Sequence, residues 1–136
     1  MTSFDHLIKI FYKDIDQMGL VYYSRYFEFF EEARTELLNN LGVKVKAIEE
    51  LGYFLPVISA TCDYKEGAKL EDEIIVKTII DSISGIKLKI SYKIHRKSDN
   101  HLLAIGYTLH VFTDKKGKPR RPPEFFMEKF SFISSD

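Results

Sequence analysis

Tryptophan is absent and cysteine occurs once, as Cys62, so no intramolecular disulfide and no multi-cysteine metal centre can form. Net charge is missing too: 20 Lys and Arg balance 20 Asp and Glu. A nucleic-acid partner usually demands a basic excess, so none is expected, and a chain near neutrality tends to self-associate. No apolar run approaches the roughly 18 residues needed to span a bilayer. The opening Met1-Thr2-Ser3-Phe4-Asp5-His6 has no basic stretch leading into an apolar one, so it does not read as a secretion signal. A glycine-rich phosphate loop and a nucleophile elbow are lacking. His6, His95, His101 and His110 are scattered, with no second ligand at metal spacing, so no metal is expected. These absences point to a soluble, cytoplasmic protein in a reducing compartment.

What is present suits a packed core. The 136 residues, 45% hydrophobic and 14% aromatic, make one domain, 1–136, long enough to bury roughly two thirds of its unfolded surface. His6 to Lys13 reads as a strand, apolar on both sides apart from Lys9. A helix follows over about Arg25 to Leu41, where Tyr26, Phe29, Phe30, Ala33, Leu37 and Leu41 form one stripe. Ser24 is placed to cap its start and Gly42 to stop it. A shorter helical piece spans Lys44 to Leu51.

The period then changes from helical to two. Ile58, Ala60, Cys62 and Tyr64 alternate with polar residues, and Cys62 reads as a small core residue. Ile74 to Ile83 has the density of a strand buried on both faces. Ser84-Gly85 suits a tight hairpin, followed by the alternation of Ile86 to His95. In the next strand Leu103, Ile105, Tyr107, Leu109 and Val111 share one face, and Gly106, Thr108 and His110 the other. Lys115 to Pro123 is loop, and Glu124 to Phe130 a short tail helix. The expected class is α+β: a five-stranded antiparallel sheet against one long helix.

The chemistry is concentrated between the first strand and the long helix, where Asp14, Asp16, Gly19 and a group of tyrosines fall. A helix start presents unpaired amides and favours negative charge. Asp16, just past the strand, is placed either to cap a turn or to act as a carboxylate base or nucleophile. Asp14 is expected to hold the junction. Tyr22 is expected in the core, as are Phe29 and Phe30, and Gly19 is expected to supply a backbone conformation open to glycine.

This stretch reads Y-x-D-x-D-x-x-G-x-V-Y-Y-x-x-Y-x-x-x-F-E-x-A-R-x-E, from Tyr12 through Asp14, Asp16, Gly19, Val21, Tyr22, Tyr23, Tyr26, Phe30, Glu31, Ala33 and Arg34 to Glu36. It resembles the hotdog-fold acyl-CoA thioesterases, and within them the 4-hydroxybenzoyl-CoA thioesterase and YbgC-like group. Ser84-x-x-Lys87 and Gly117-x-Pro119-x-Arg121 extend the likeness to about Pro123. Two letters differ from common members: many YbgC-like chains have His where Tyr23 stands, the 4-hydroxybenzoyl type having Tyr, and Asn is common at the position of Arg25.

The resemblance implies a hotdog fold that dimerises edge to edge, as a homodimer or homotetramer, with active sites between subunits. It implies hydrolysis of an acyl-CoA or acyl-carrier-protein thioester, with CoA as part of the substrate and no cofactor. Asp16 matches the catalytic aspartate, and Tyr23 the position whose backbone amide polarises the carbonyl. Tyr12 and Tyr26 are candidates for the acyl pocket, with core packing the competing role for both. Ser84, Gly85 and Lys87 lie where the family meets the CoA arm. Arg120 and Arg121, in a basic loop that otherwise reads as solvated, are candidates for its phosphates. The rival readings are a non-catalytic acyl-CoA or acyl-carrier-protein binding module, a structural oligomer, and an acyl-thioester dehydratase. The dehydratase would call for a His near the long helix, and none falls between His6 and His95.

Overall fold

The computed structural model describes residues 3–130. Met1 and Thr2 of the N-terminal stretch, and residues 131–136 of the expected 1–136 span, lie outside the described residues. The chain runs β1 (Ser3–Lys9), a 3-10 turn (Tyr12–Asp14), α1 (Arg25–Asn40), α2 (Val45–Glu50), β2 (Val57–Tyr64), β3 (Glu73–Ser84), β4 (Lys87–Arg96), β5 (Leu102–Val111) and α3 (Glu124–Phe130). The five strands form one sheet in the order β1-β3-β4-β5-β2, every pair antiparallel. Among the described residues no helix is long and apolar enough to cross a membrane.

The first strand both begins and ends earlier than the expected His6 to Lys13. The Asp14 carboxylate accepts the Phe11 N–H at 2.9 Å and the Asp14 N–H returns to the Phe11 carbonyl at 2.9 Å. These two bonds turn the chain out of the sheet well before Lys13. The start of α1 also differs. Ser24 makes no side-chain cap; instead the Tyr22 and Tyr23 carbonyls accept from Arg25 and Tyr26.

The stripe on α1 packs as its spacing predicts. Tyr26, Phe29, Phe30, Ala33 and Leu37 are all buried, and Leu38 joins them. The sheet covers α1 with one face only, and this corrects the reading of β3 as buried on both. Ile74, Val76, Thr78, Ile80 and Ile83 point to the helix, while Ile75 and Ile79 remain partly open on the other side. A register shift between Ile80 and Ser82 allows Ile80 and Ile83, three apart, to share the inner face.

In β5 the helix side is the small and polar one: Gly106, Thr108 and His110 lie inward, and Ile105, Tyr107, Leu109 and Val111 outward. Phe30 explains the choice. Its ring stacks on Tyr92 at 4.2 Å between centroids, and a Cβ at Gly106 would fall 2.8 Å from that ring and 2.3 Å from the Thr61 carbonyl. Only glycine leaves room for the aromatic.

Thr78 Oγ1 on β3 is buried with no partner among the described residues, but the inward polar groups of β4 and β5 satisfy one another. His110 Nδ1 lies 3.0 Å from the Leu55 carbonyl, so it must donate there. Burial pushes the imidazole down to about 4, against the Leu55 bond and with help from Arg34, so the ring is neutral and Nε2 accepts. The donor to Nε2 is Thr108 Oγ1 at 2.8 Å, and Thr108 in turn accepts from the Tyr92 hydroxyl at 2.7 Å. Arg34 of α1 faces the Tyr92 hydroxyl and favours its ionised form.

Between pH 6.5 and 4 the unfolded chain takes up a proton at His110 that the folded chain refuses. Stability is therefore full above pH 6.5 and falls as pH drops towards 4, by about 3 kcal/mol from this group. Urea unfolding near neutrality and at mildly acid pH measures that loss, and a His110→Gln variant is expected to flatten it.

Candidate active site

After the 3-10 turn the chain makes a narrow ribbon. Ile15 bridges to Val21, the Tyr22 N–H donates to the Asp14 carbonyl at 3.1 Å, and the Asp16 N–H to the Leu20 carbonyl at 2.8 Å. Gly19 closes the ribbon tip at φ +78 with open space where a Cβ would stand, so its backbone, not its packing, requires glycine. The Val21 N–H bonds the Ala68 carbonyl, which fastens the ribbon to the segment between β2 and β3.

The two carboxylates sit in different surroundings, and Asp14 holds the junction as expected. Asp14 is only 2% exposed; besides the Phe11 amide it faces Lys13 Nζ at 3.1 Å and Arg25 Nε at 3.7 Å. Arg25 also donates to the Lys13 carbonyl at 3.1 Å and pairs with Glu28 at 2.7 Å, so it braces the ribbon base against the first turn of α1. Asp16 sits farther out. Its Oδ1 accepts from the Met18 and Leu20 amides at 2.8 and 3.2 Å, while Oδ2 has no donor among the described residues. One Asp16 oxygen thus organises a turn, as its position allowed, and the other is left open.

Tyr23 lies at the helix start with its side chain 72% exposed. Its carbonyl accepts from Tyr26 N–H and Tyr64 Oη, and its N–H has no acceptor among the described residues. Tyr12 is 79% exposed and packs in no core of this protomer; Tyr22, expected inside, is 46% exposed because the ribbon turns it outward opposite Asp14. Tyr26 is buried, and its hydroxyl accepts the Ala68 N–H at 3.2 Å.

The remaining candidates gather at the other end of the molecule. Ile10 and Asp72 join the Asp16 end to the start of β3, and Ser84, Gly85 and Lys87 form the hairpin at its far end. Twelve residues of β3 separate the two ends by roughly 35–40 Å. The Phe112 N–H bonds the Ile86 carbonyl and the Arg120 N–H the Phe112 carbonyl, so Arg120 and Arg121 lie near the hairpin. Arg120 rests 3.7 Å over the Tyr53 ring and donates to the Gly52 carbonyl; Arg121 is exposed. Within one protomer the structure does not bring Lys87, Arg120 and Arg121 to Asp16.

The edge strand β2 connects the two ends. Its Tyr64 pairs with Ala104 beside the Asp16 end, and its Val57 with His110 beside the hairpin end. Val57, Ile58 and Tyr64 are exposed along it. The opposite edge, β1, carries Asp5 and Lys9 outward and is held to α1 by His6 and Glu32 at 2.6 Å. Charge blunts an edge, and β2, with Asp63 alone against Asp5 and Lys9 on β1, is the less blunted of the two. Sequence reasoning missed Tyr64 and the Arg34–Tyr92–Thr108–His110 line; their partners are distant in sequence, and no local pattern announces them.

The model of the thioesterase-like superfamily matches residues 12–130. The acyl-CoA thioester hydrolase YbgC of Escherichia coli O157:H7 is 32% identical over 95% of this chain and 96% of its own. The acyl-CoA thioesterase YbgC of Haemophilus influenzae is 32% identical over 86% of this chain and 85% of its own. Among solved structures, the DHNA-CoA thioesterase of Staphylococcus aureus superposes with a TM-score of 0.91 at 25% identity, covering 98% of this chain and 91% of that one.

The contrast between the carboxylates predicts different costs. Asp14→Asn removes a buried charge that Lys13 and Arg25 face, and is expected to lower stability by about 1–3 kcal/mol. Asp16→Asn keeps an oxygen for the Met18 and Leu20 amides and is expected to change stability by less than about 0.5 kcal/mol. Denaturant midpoints of the two variants measure the difference.

Proposed function

Since the chain belongs to the thioesterase-like superfamily, we propose that its Asp16 junction hydrolyses acyl-CoA thioesters to a free acid and CoA. The observation that carries this reading is the Asp16 carboxylate, held by one oxygen and open at the other, beside a helix start with an unspent amide. The open oxygen acts as nucleophile on the thioester carbon or as base for the attacking water. The Tyr23 N–H receives the negative charge that develops on the carbonyl oxygen, where one such donor contributes about 3 kcal/mol. The names of the relatives, acyl-CoA hydrolases in Escherichia coli and Haemophilus influenzae, agree with this chemistry.

The working unit in this reading is a dimer joined through β2. Two-fold pairing of antiparallel edges sets the Val57 end of one copy beside the Tyr64 end of the other. The partner's hairpin and basic loop then arrive next to Asp16. Lys87 and Arg121 supply charge for the CoA phosphates, and Ser84 and Gly85 a polar turn along the arm. Arg120 serves by holding the loop on Tyr53. A cleft of about 210 Å³ at the hairpin end, walled by Leu38, Val45, Ile48, Leu55, Leu88 and Ile90 on its apolar side and by Glu31, Arg34, Thr35, Glu49, Tyr53 and His110 on its polar side, gives room for the acyl group of the thioester bound across the edge. Tyr12, exposed in the protomer, covers the mouth.

Asp16→Asn is expected to lower thiol release from a panel of acyl-CoAs and acyl-carrier-protein thioesters at least about 100-fold. Unchanged turnover would overturn the assignment. Mixing inactive Asp16→Asn with inactive Lys87→Glu and re-forming dimers is expected to restore about a quarter of wild-type activity, since each mixed dimer holds one intact composite site. A site contained within one protomer would recover nothing.

A further inference from the structure

Tyr23 has an unusual support. Its exposed side chain packs in no core of the protomer, so its backbone is positioned by hydrogen bonds alone. On the upstream side the Tyr22 carbonyl, which shares a peptide plane with the Tyr23 N–H, accepts from Arg25 N–H at 3.0 Å. On the downstream side the Tyr23 carbonyl accepts a long 3.3 Å bond from Tyr26 N–H and a shorter one, 3.0 Å, from the Tyr64 hydroxyl. Tyr64 is the last residue of β2, and its ring meets Tyr26 edge-on at 5.1 Å and 87°. Tyr26 is itself pinned in the core through Ala68. The phenol is thus seated on a fixed ring and aimed at one carbonyl.

We propose that Tyr64 is a positioning residue for thioester hydrolysis: its hydroxyl, reaching across 41 residues of sequence, holds the Tyr23 peptide so that the neighbouring amide meets the carbonyl oxygen of the substrate. The inference rests on the reading of Asp16 and Tyr23 given above. Tyr64 touches no reacting atom in this arrangement; it acts through Tyr23. Two further features suit the role. Desolvation, and then the neighbouring Cys62, push the Tyr64 hydroxyl up to about 12, so it remains a donor throughout the neutral range. Tyr64 also belongs to the open edge strand, so a second copy docking on β2 would brace the same ring that holds the amide.

Tyr64→Phe removes the hydroxyl and keeps the ring on Tyr26. It is expected to lower kcat about ten-fold while KM stays within about two-fold, because the substrate's binding contacts are untouched. Its melting temperature is expected within about 2 °C of wild type. Hydrogen exchange in a peptide spanning residues 22–26 is expected to quicken, with the rest of the chain unchanged. A kcat within about two-fold of wild type, or unaltered exchange in that peptide, overturns the proposal. So does a loss of kcat accompanied by a melting temperature lower by more than about 5 °C, which assigns the bond to stability alone. Asp16→Asn measured alongside separates the two readings: an active Asp16→Asn removes the proposed function, whereas an inactive Asp16→Asn beside a fully active Tyr64→Phe removes only the role of Tyr64.

Discussion

The seat of Phe30 is the contact on which the architecture turns. One aromatic from the middle of α1 lies flat on Tyr92 of β4 and fills the space left open by Gly106 of β5. Close packing permits no comparable alternative, since a single added methyl at Gly106 would meet both the ring and the Thr61 backbone. With Phe30 placed, the helix cannot slide or roll on the sheet. Its first turn then meets the ribbon from Asp14 to Val21, and its third turn brings Arg34 to the Tyr92 hydroxyl. The polar line to His110 follows from the same choice: β5 turns its small and polar face inward to admit the ring, and those polar groups must bond one another.

A second constraint is the length of β3. The chain places its carboxylate at one end of the sheet and its cationic loop and hairpin at the other. A thioester of coenzyme A is an extended molecule, with its reactive carbon distant from its phosphates. A single protomer would leave one part of it unattended. The proposed antiparallel pairing of β2 edges would resolve the mismatch by symmetry, with no change to the protomer. The β2 edge exposes Val57, Ile58 and Tyr64 with one charge among them, Asp63, against Asp5 and Lys9 on β1, and this suits the pairing.

Much of the layout was legible in the sequence. The α1 stripe and the alternation in β4 have unambiguous periods, and Gly19 and Asp14 took the roles their positions suggested. The failures share a cause. β1 stops early because a side chain five residues beyond it captures the Phe11 amide, a competition that hydropathy does not register. Apolar density in β3 suggests double burial, but only one face meets the helix. Tyr22 is as apolar as Tyr26 on any scale; the ribbon register, set by hydrogen bonds to Asp14, turns one out and leaves the other in. Tyr64 was legible as a strand residue but not as the partner of Tyr23, because nothing local links positions 41 apart.

The attachment of Asp16 through a single oxygen has a consequence in entropy. A free aspartate samples several rotamers, and aligning it with a carbonyl carbon would cost that freedom in each catalytic cycle. Here the Met18 and Leu20 amides hold the carboxylate by Oδ1, and Gly19 allows the tight turn that delivers them. The ordering is met once, when the ribbon folds. On the function proposed for it, the residue offered to the thioester is then not a mobile anion but a fixed surface with a single open oxygen, and its conformational cost belongs to folding rather than to turnover.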